Sequence, residues 1–169
     1  MSATTLIAYA TKHDSTHRVA ELVADVLRED RLEVDVRPAA SVADVERYDV
    51  VVIGGALYMG RWHRDARHLL SRHRAALARR PVFVFGMGPM EMVEDQVAGS
   101  RKQLDQALSK VPEVKPIAVQ IFGGVVNPEE LRFPFNRMPA TDALDREAVR
   151  AWARDVAAVI HAGAPAVAR

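Results

Sequence analysis

The sequence predicts an α/β fold: a three-layer sandwich whose five-stranded parallel sheet, of order 2-1-3-4-5, lies between helices. Three observations carry this. Short apolar runs rich in β-branched residues alternate with stretches of helical periodicity, and strands separated by helices imply right-handed crossovers into a parallel sheet. The second run alternates polar with apolar residues, as an edge strand does. Five strands with such a second strand favour this order over a six-strand dinucleotide fold, and the lack of a GxGxxG after the first run argues against a nicotinamide dinucleotide.

Taken in order, Thr4 to Ala10 (TTLIAYA) reads as a strand covered on both faces and closed by turn residues. Val19, Leu22, Val23, Val26 and Leu27 then follow the spacing of one buried helix face. Leu32 to Val36 (LEVDV) is the half-exposed edge strand, and Val50 to Ile53 (VVVI) is a buried one. Helical patterns at Ala66 to Leu77, Leu104 to Leu108 and Val149 to Ile160 alternate with strands at Val82 to Phe85 and Ile117 to Phe122. Only Gly123 to Thr141 is a long irregular connection, and connections of that length are often functional.

The 169 residues, 49% hydrophobic, suit a single domain over 1–169 with a sizeable core. There is no cysteine, so disulfides, cysteine-based zinc sites and iron–sulfur clusters are excluded, and redox work would need a bound cofactor. The opening MSATTLIAYA has no basic n-region and no run approaches the ~20 apolar residues of a membrane span, so a cytoplasmic, unprocessed chain is expected. Twenty-three basic and 22 acidic residues leave a net charge of +1, and no nucleic-acid-binding motif appears.

In an open α/β sheet ligands bind beyond the carboxyl ends of the strands, where the strand order reverses. That rule selects three loops. The first, TKHDST, comprises Thr11, Lys12, His13, Asp14, Ser15 and Thr16 at the start of a helix. Its hydroxyls and free N–H groups match a phosphate monoester, although Ser and Thr also serve as plain helix caps. The second, GGALYMGRW, offers Gly55, Ala56, Leu57, Tyr58, Met59 and Gly60, with Trp62, at the lip of the sheet. An aromatic face there can stack on a flat ring; alternatively Tyr58 and Trp62 cover the top of the core. The third, GMGPME, brings Gly86, Met87, Gly88 and Pro89 close enough for backbone groups to reach a heterocycle edge. Together the three loops describe a mononucleotide site.

These segments, with the IFGG ending the fifth strand and the closing DALDREAVRAWARDVAAVI helix, resemble the flavodoxin-like proteins. Within them the chain is similar to the branch that includes menaquinone-dependent protoporphyrinogen dehydrogenases. The resemblance implies noncovalent FMN, its phosphate in Thr11 to Thr16 and its isoalloxazine between the Gly55 to Gly60 and Gly86 to Pro89 loops. It implies a flavin redox protein in which no side chain need act as acid or base. The partner would be a redox protein or a small electron acceptor near the ring edge. Two departures stand out. Asp14 replaces the glycine usual in the phosphate loop, and the dehydrogenases' long insertion after the fifth strand is reduced to LRFPFNRMPAT. Asp tolerates a left-handed backbone, so Asp14 is expected to take the glycine conformation with its carboxylate outward, or to cap the helix at Ser15.

Arg61 to Arg80 reads as one basic helix with seven arginines and three histidines against one acid, Asp65. Leu69, Leu70 and Leu77 supply its inward side. Beyond a solvated face, it suits an acidic redox partner, peripheral contact with an anionic membrane, or the oligoglutamate tail of a deazaflavin. No histidine spacing matches a metal site, and no GxSxG elbow appears. Competing functions are a porphyrinogen or quinone dehydrogenase and a cofactor-free interaction module.

Overall fold

The central strand β1 (Thr4–Ala10) is mostly buried and pairs in parallel on both sides, through Thr4 to Tyr9 on one and Thr5 to Ala10 on the other. It leads into α1 (Ser15–Glu29), whose Val19, Ala20, Val23, Ala24 and Leu27 face the sheet. Strand β2 (Glu33–Pro38) then returns beside β1 with only intermediate or exposed residues, which makes it the expected edge. Tyr48 Oη donates to Asp35 Oδ2 at 2.6 Å and Arg37 Nε donates at 2.8 Å, and together they hold that carboxyl below its ordinary pKa.

Strand β3 (Val50–Tyr58) is five residues longer than the apolar run VVVI that announces it. It pairs with β5 (Val82–Met87) as far as Ala56 opposite Met87, then turns back on itself as a hairpin with β4 (Arg61–Trp62). Met59 and Gly60 form the turn with φ of 51° and 76°. Positive φ at both central residues is the hairpin geometry that matches strand twist, and Gly60 meets it without strain. Residues 54–58, expected as loop, are therefore strand.

The basic run is two helices, not one: α2 (Arg64–Arg72) and α3 (Arg74–Leu77), broken at His73. His63 caps α2, its Nδ1 accepting the Asp65 N–H at 3.1 Å. After β5 come α4 (Glu94–Ser109), β6 (Ala118–Phe122), the short pair β7 (Val125–Val126) and β8 (Thr141–Asp142), and α5 (Arg146–His161). The computed structural model describes residues 2–163, so the single-domain reading over 1–169 takes in residues outside that span.

The main sheet runs β2-β1-β3-β5-β6, all parallel, with β4 added antiparallel to β3. Counting the long strands alone, this is the expected order 2-1-3-4-5. One core cluster joins α2 and α4 to the sheet through Leu69, Leu70 and Leu104; the other joins α1 and α5 through Val23, Leu27, Trp152 and Val156. Helices therefore cover both faces in three layers.

A Cβ on Gly54 would strike the Phe85 ring, which is fully buried. Gly54→Ala should destabilise the fold by about 1–3 kcal/mol through overpacking, read as a lower urea midpoint. Burial lowers the His63 pKa, helped by Arg67 and Lys12 and opposed by Asp65. The unfolded chain therefore takes up that proton first, and the stability His63 contributes above about pH 6.5 is lost as the pH falls through its folded pKa. His63→Asn keeps a capping acceptor but cannot titrate. Between pH 7.5 and 5.0 the natural chain should lose up to about 1 kcal/mol more than this variant, roughly the value of a cap.

Candidate functional site

Strand register sets the three loops side by side. Ala10 lies opposite Gly55, Gly55 opposite Gly86, and Met87 opposite both Ala56 and Phe122. The residues that follow these positions emerge together at the carboxyl edge of the sheet.

The loop after β1 fits an anion. Asp14 takes the left-handed conformation expected of it, with φ of 69°, which lets the chain turn directly into α1. Its side chain does not cap the helix, contrary to the second expectation, and the first turn contains no acid. The carboxylate sits 3.1 Å from His17 Nδ1 and 3.4 Å from Arg18 Nε, on the solvent side of the helix. His17 in turn stacks on Tyr9, with centroids 4.4 Å apart, and reaches Glu21 Oε1 at 3.3 Å. Meanwhile Thr11 Oγ1, His13 Nε2 and Thr16 Oγ1 are buried without a hydrogen-bond partner among the described residues. Each orphaned polar group costs about 1–3 kcal/mol, so three within six residues mark a place shaped for a missing partner.

The β3–β4 hairpin is anchored from inside. The Trp62 side chain is 1% exposed, and its Nε1–H donates to the Gly55 carbonyl at 3.0 Å. A Cβ on Gly55 would collide with that indole. The His63 N–H bonds the Ala56 carbonyl at 2.8 Å, and Arg67 Nε bonds the Trp62 carbonyl at 2.9 Å. Trp62 is therefore a buttress beneath the site and not a stacking face within it. Tyr58 and Met59 project at the tip, 38% and 73% exposed. Lys12 Nζ sits 3.7 Å above the Tyr58 ring centroid, tying the anion loop to the hairpin.

Between these elements opens a cleft of about 300 Å³, mostly apolar, of a size that holds a small ligand. Lys12, His13 and Ser15 line one end; Ala56, Leu57, Tyr58 and Met59 line one wall, continued by Met87 and Gly88. Thr11, Asp14 and Thr16 belong to the same loop without lining the cleft. Gly55 and Gly86 lie within strands, and Gly60 and Pro89 border neighbouring depressions.

The opposite wall was not picked out residue by residue in the sequence. It comprises Met90 and, from the long connection, Val125, Val126, Asn127, Leu131 and Met138. The Gly124 N–H bonds the Pro89 carbonyl at 2.8 Å and the Ala143 N–H bonds the Gly124 carbonyl at 3.0 Å, which fixes this wall to the loop after β5. The length of the 123–141 connection was its only sequence signal.

Among curated proteins none matches this chain. Solved structures do. A flavodoxin from Streptococcus pneumoniae TIGR4 superposes with a TM-score of 0.59 at 19% identity, covering 92% of this chain and 99% of that one. Flavodoxin 1 from Bacillus cereus gives 0.57 at 13% identity over 90% and 96%. The flavodiiron protein of Giardia intestinalis gives 0.60 at 13% identity, with 94% of this chain matched to 36% of that one. At such identities these likenesses establish the fold. The flavodoxin domain family model matches residues 6–138, most of the chain and all three loops. This protein belongs to the flavodoxin domain family.

Proposed function

We propose that the cleft binds FMN and that the protein is a flavin-dependent redox carrier or small oxidoreductase. The observation that carries this reading is the set of orphaned groups Thr11 Oγ1, His13 Nε2 and Thr16 Oγ1 at an uncapped helix start, adjoining an apolar cleft. A phosphate accepts hydrogen bonds from hydroxyls, from an imidazole N–H and from the free N–H groups of the first helical turn, where the positive dipole end favours it. The apolar walls, Ala56 to Met59 on one side and Val125, Val126 and Met138 on the other, suit a flat ring system. A flavin held there supplies one- and two-electron transfer, and the chain supplies anchorage, ring burial and electrostatics.

Two energetic points bear on this reading. Stacking on Tyr58 displaces Lys12 from its face, losing an exposed cation–π contact worth about 0.5–1 kcal/mol. Ring stacking returns about 0.5–1.5 kcal/mol and the burial of apolar area adds to it, so stacking wins. Asp14 would oppose a phosphate, but its carboxylate is paired with His17 and Arg18 and 57% exposed, where solvent screens it.

A second reading is a dehydrogenase taking a flat apolar substrate, as in the porphyrinogen and quinone branch. It is favoured by the exposed Met59 and by Phe133, 70% exposed on the connection that builds the far wall. Turnover of a reduced porphyrin or a quinone by the flavin-loaded protein separates the two.

The test is a titration with FMN and with riboflavin, followed by quenching of flavin fluorescence. FMN should bind more tightly, because riboflavin lacks the phosphate. Thr16→Val, nearly isosteric, should weaken FMN by about 10- to 100-fold and leave riboflavin unchanged, as expected for one hydrogen bond to a charged group. Unchanged FMN affinity in this variant would place the phosphate elsewhere, and a colourless protein that takes up neither ligand would leave a cofactor-free module. Asp14→Gly should tighten FMN by about three- to tenfold, since it removes a nearby negative charge from a position whose backbone glycine adopts freely.

A further inference from the structure

Across the hairpin from the cleft lies a second concavity, a groove of about 360 Å³ between the β3–β4 hairpin and the C-terminal half of α4. Arg61, Arg67 and Lys110 bring three cations to its walls, with the carboxamides of Gln103 and Gln106, and no carboxylate lines it. None of these three cations forms an ion pair among the described residues. Arg67 spends one of its five N–H donors on the Trp62 carbonyl and so is held in place with the rest available.

The groove adjoins the cleft through a shallow depression that shares Gln103 with the groove and Leu57, Gly88 and Met90 with the cleft, and is completed by Pro89, Gln96, Gly99 and Ser100. The three form a shallow trough over α4 from the cations to the cleft. Gly99 lies in the interior of that helix, where glycine is less stable than alanine. A Cβ there would meet no atom within 4 Å, so packing inside the protein gives no reason for glycine.

We propose that this trough docks an acidic segment of a redox partner protein, its carboxylates on Arg61, Arg67 and Lys110 and its backbone passing over Gly99 toward the Tyr58–Met59 edge of the cleft. The partner's role rests on the redox reading of the cleft; the docking itself does not. A row of adjoining depressions with the bare Gly99 backbone at its middle suits an extended peptide chain, whose carboxylates can reach the cations at one end. Arginine suits the anchor because its planar fork takes carboxylates in bidentate geometry.

The test uses the full chain without added flavin, titrated with a synthetic glutamate-rich peptide and followed by NMR. The Trp62 indole N–H and the amides of Gly60, Gly99 and Gln103 should shift together. Arg61→Glu and Lys110→Glu should each weaken the peptide by at least about fivefold, while Arg154→Glu, on α5 over the other face of the sheet, should not. Gly99→Leu separates docking from general charge attraction: it should hold or raise the melting temperature and still weaken the peptide by about tenfold. Peptide binding indifferent to both Arg61→Glu and Gly99→Leu would overturn the proposal. So would inorganic phosphate binding as tightly as the peptide, or vesicles of phosphatidylserine and phosphatidylcholine binding the chain when the peptide does not. Because no flavin is present, failure here leaves the FMN titration untouched, and a chain that binds the peptide but not FMN would overturn the cleft reading alone.

Discussion

The Trp62 indole lying on Gly55 is the contact on which the rest of the site depends. Gly55 has no Cβ, so the ring can approach the β3 backbone closely enough for its N–H to reach the Gly55 carbonyl at 3.0 Å. That single placement holds β4 against β3 and turns the hairpin tip toward solvent. It also presents the Trp62 carbonyl to Arg67 on α2. The cleft on one side of the hairpin and the cationic groove on the other are therefore two faces of one rigid support. Its strength comes from burial: Trp62 is among the largest side chains that are fully buried here, and aromatic side chains bury more area than any other kind.

The anion loop solves a different problem, which is electrostatic. A loop that gathers N–H groups and hydroxyls around an anion usually gains from glycine at the point where φ turns positive. Asp14 provides the same backbone geometry at a small conformational cost and brings an unwanted charge. The charge is made tolerable by where it is held. His17 and Arg18, one turn on, draw the carboxylate to the flank of α1, and the stacking of His17 on Tyr9 fixes the imidazole that does so. The pairs are exposed and individually weak. Their importance lies in direction: they keep the carboxylate away from the three orphaned groups that define the site.

Much of this was legible in the sequence, and what was not has physical reasons. Buried parallel strands announce themselves as β-branched runs, and β2 as an alternation, because burial on two faces or one is itself a pattern of side chains. The hairpin escaped notice because GGALY holds two glycines and an alanine, weak strand formers whose pairing is decided by Phe85 and Trp62 packing over them. For the same reason the sequence left Trp62 open between a stacking face and a cover for the core, and it is a core residue. The basic run read as a single helix because leucines on either side of His73 keep a helical spacing, and the break there is a backbone matter. The far wall of the cleft was least legible. Its residues come from a connection with no periodicity, and their positions depend on hydrogen bonds from Gly124 to Pro89 and from Ala143 to Gly124 that join segments distant in sequence.

Net charge misleads in the same way that periodicity does when averaged over too long a stretch. A total of +1 describes a molecule with no overall attraction for either sign. Ion pairs, however, absorb much of the acid on α1, β2 and α5, through Asp14, Glu21, Asp25, Asp35 and Glu147. Among the described residues Arg61, Arg67 and Lys110 form no ion pair, and they line the groove across the hairpin from the cleft. At physiological salt the screening length is about 8 Å, so a partner arriving at this edge responds to those local cations and not to the total. Under the flavin reading proposed above, a redox partner must approach at the edge where the cofactor is reachable, and the apolar cleft and the cationic groove lie on the two sides of the hairpin at that edge.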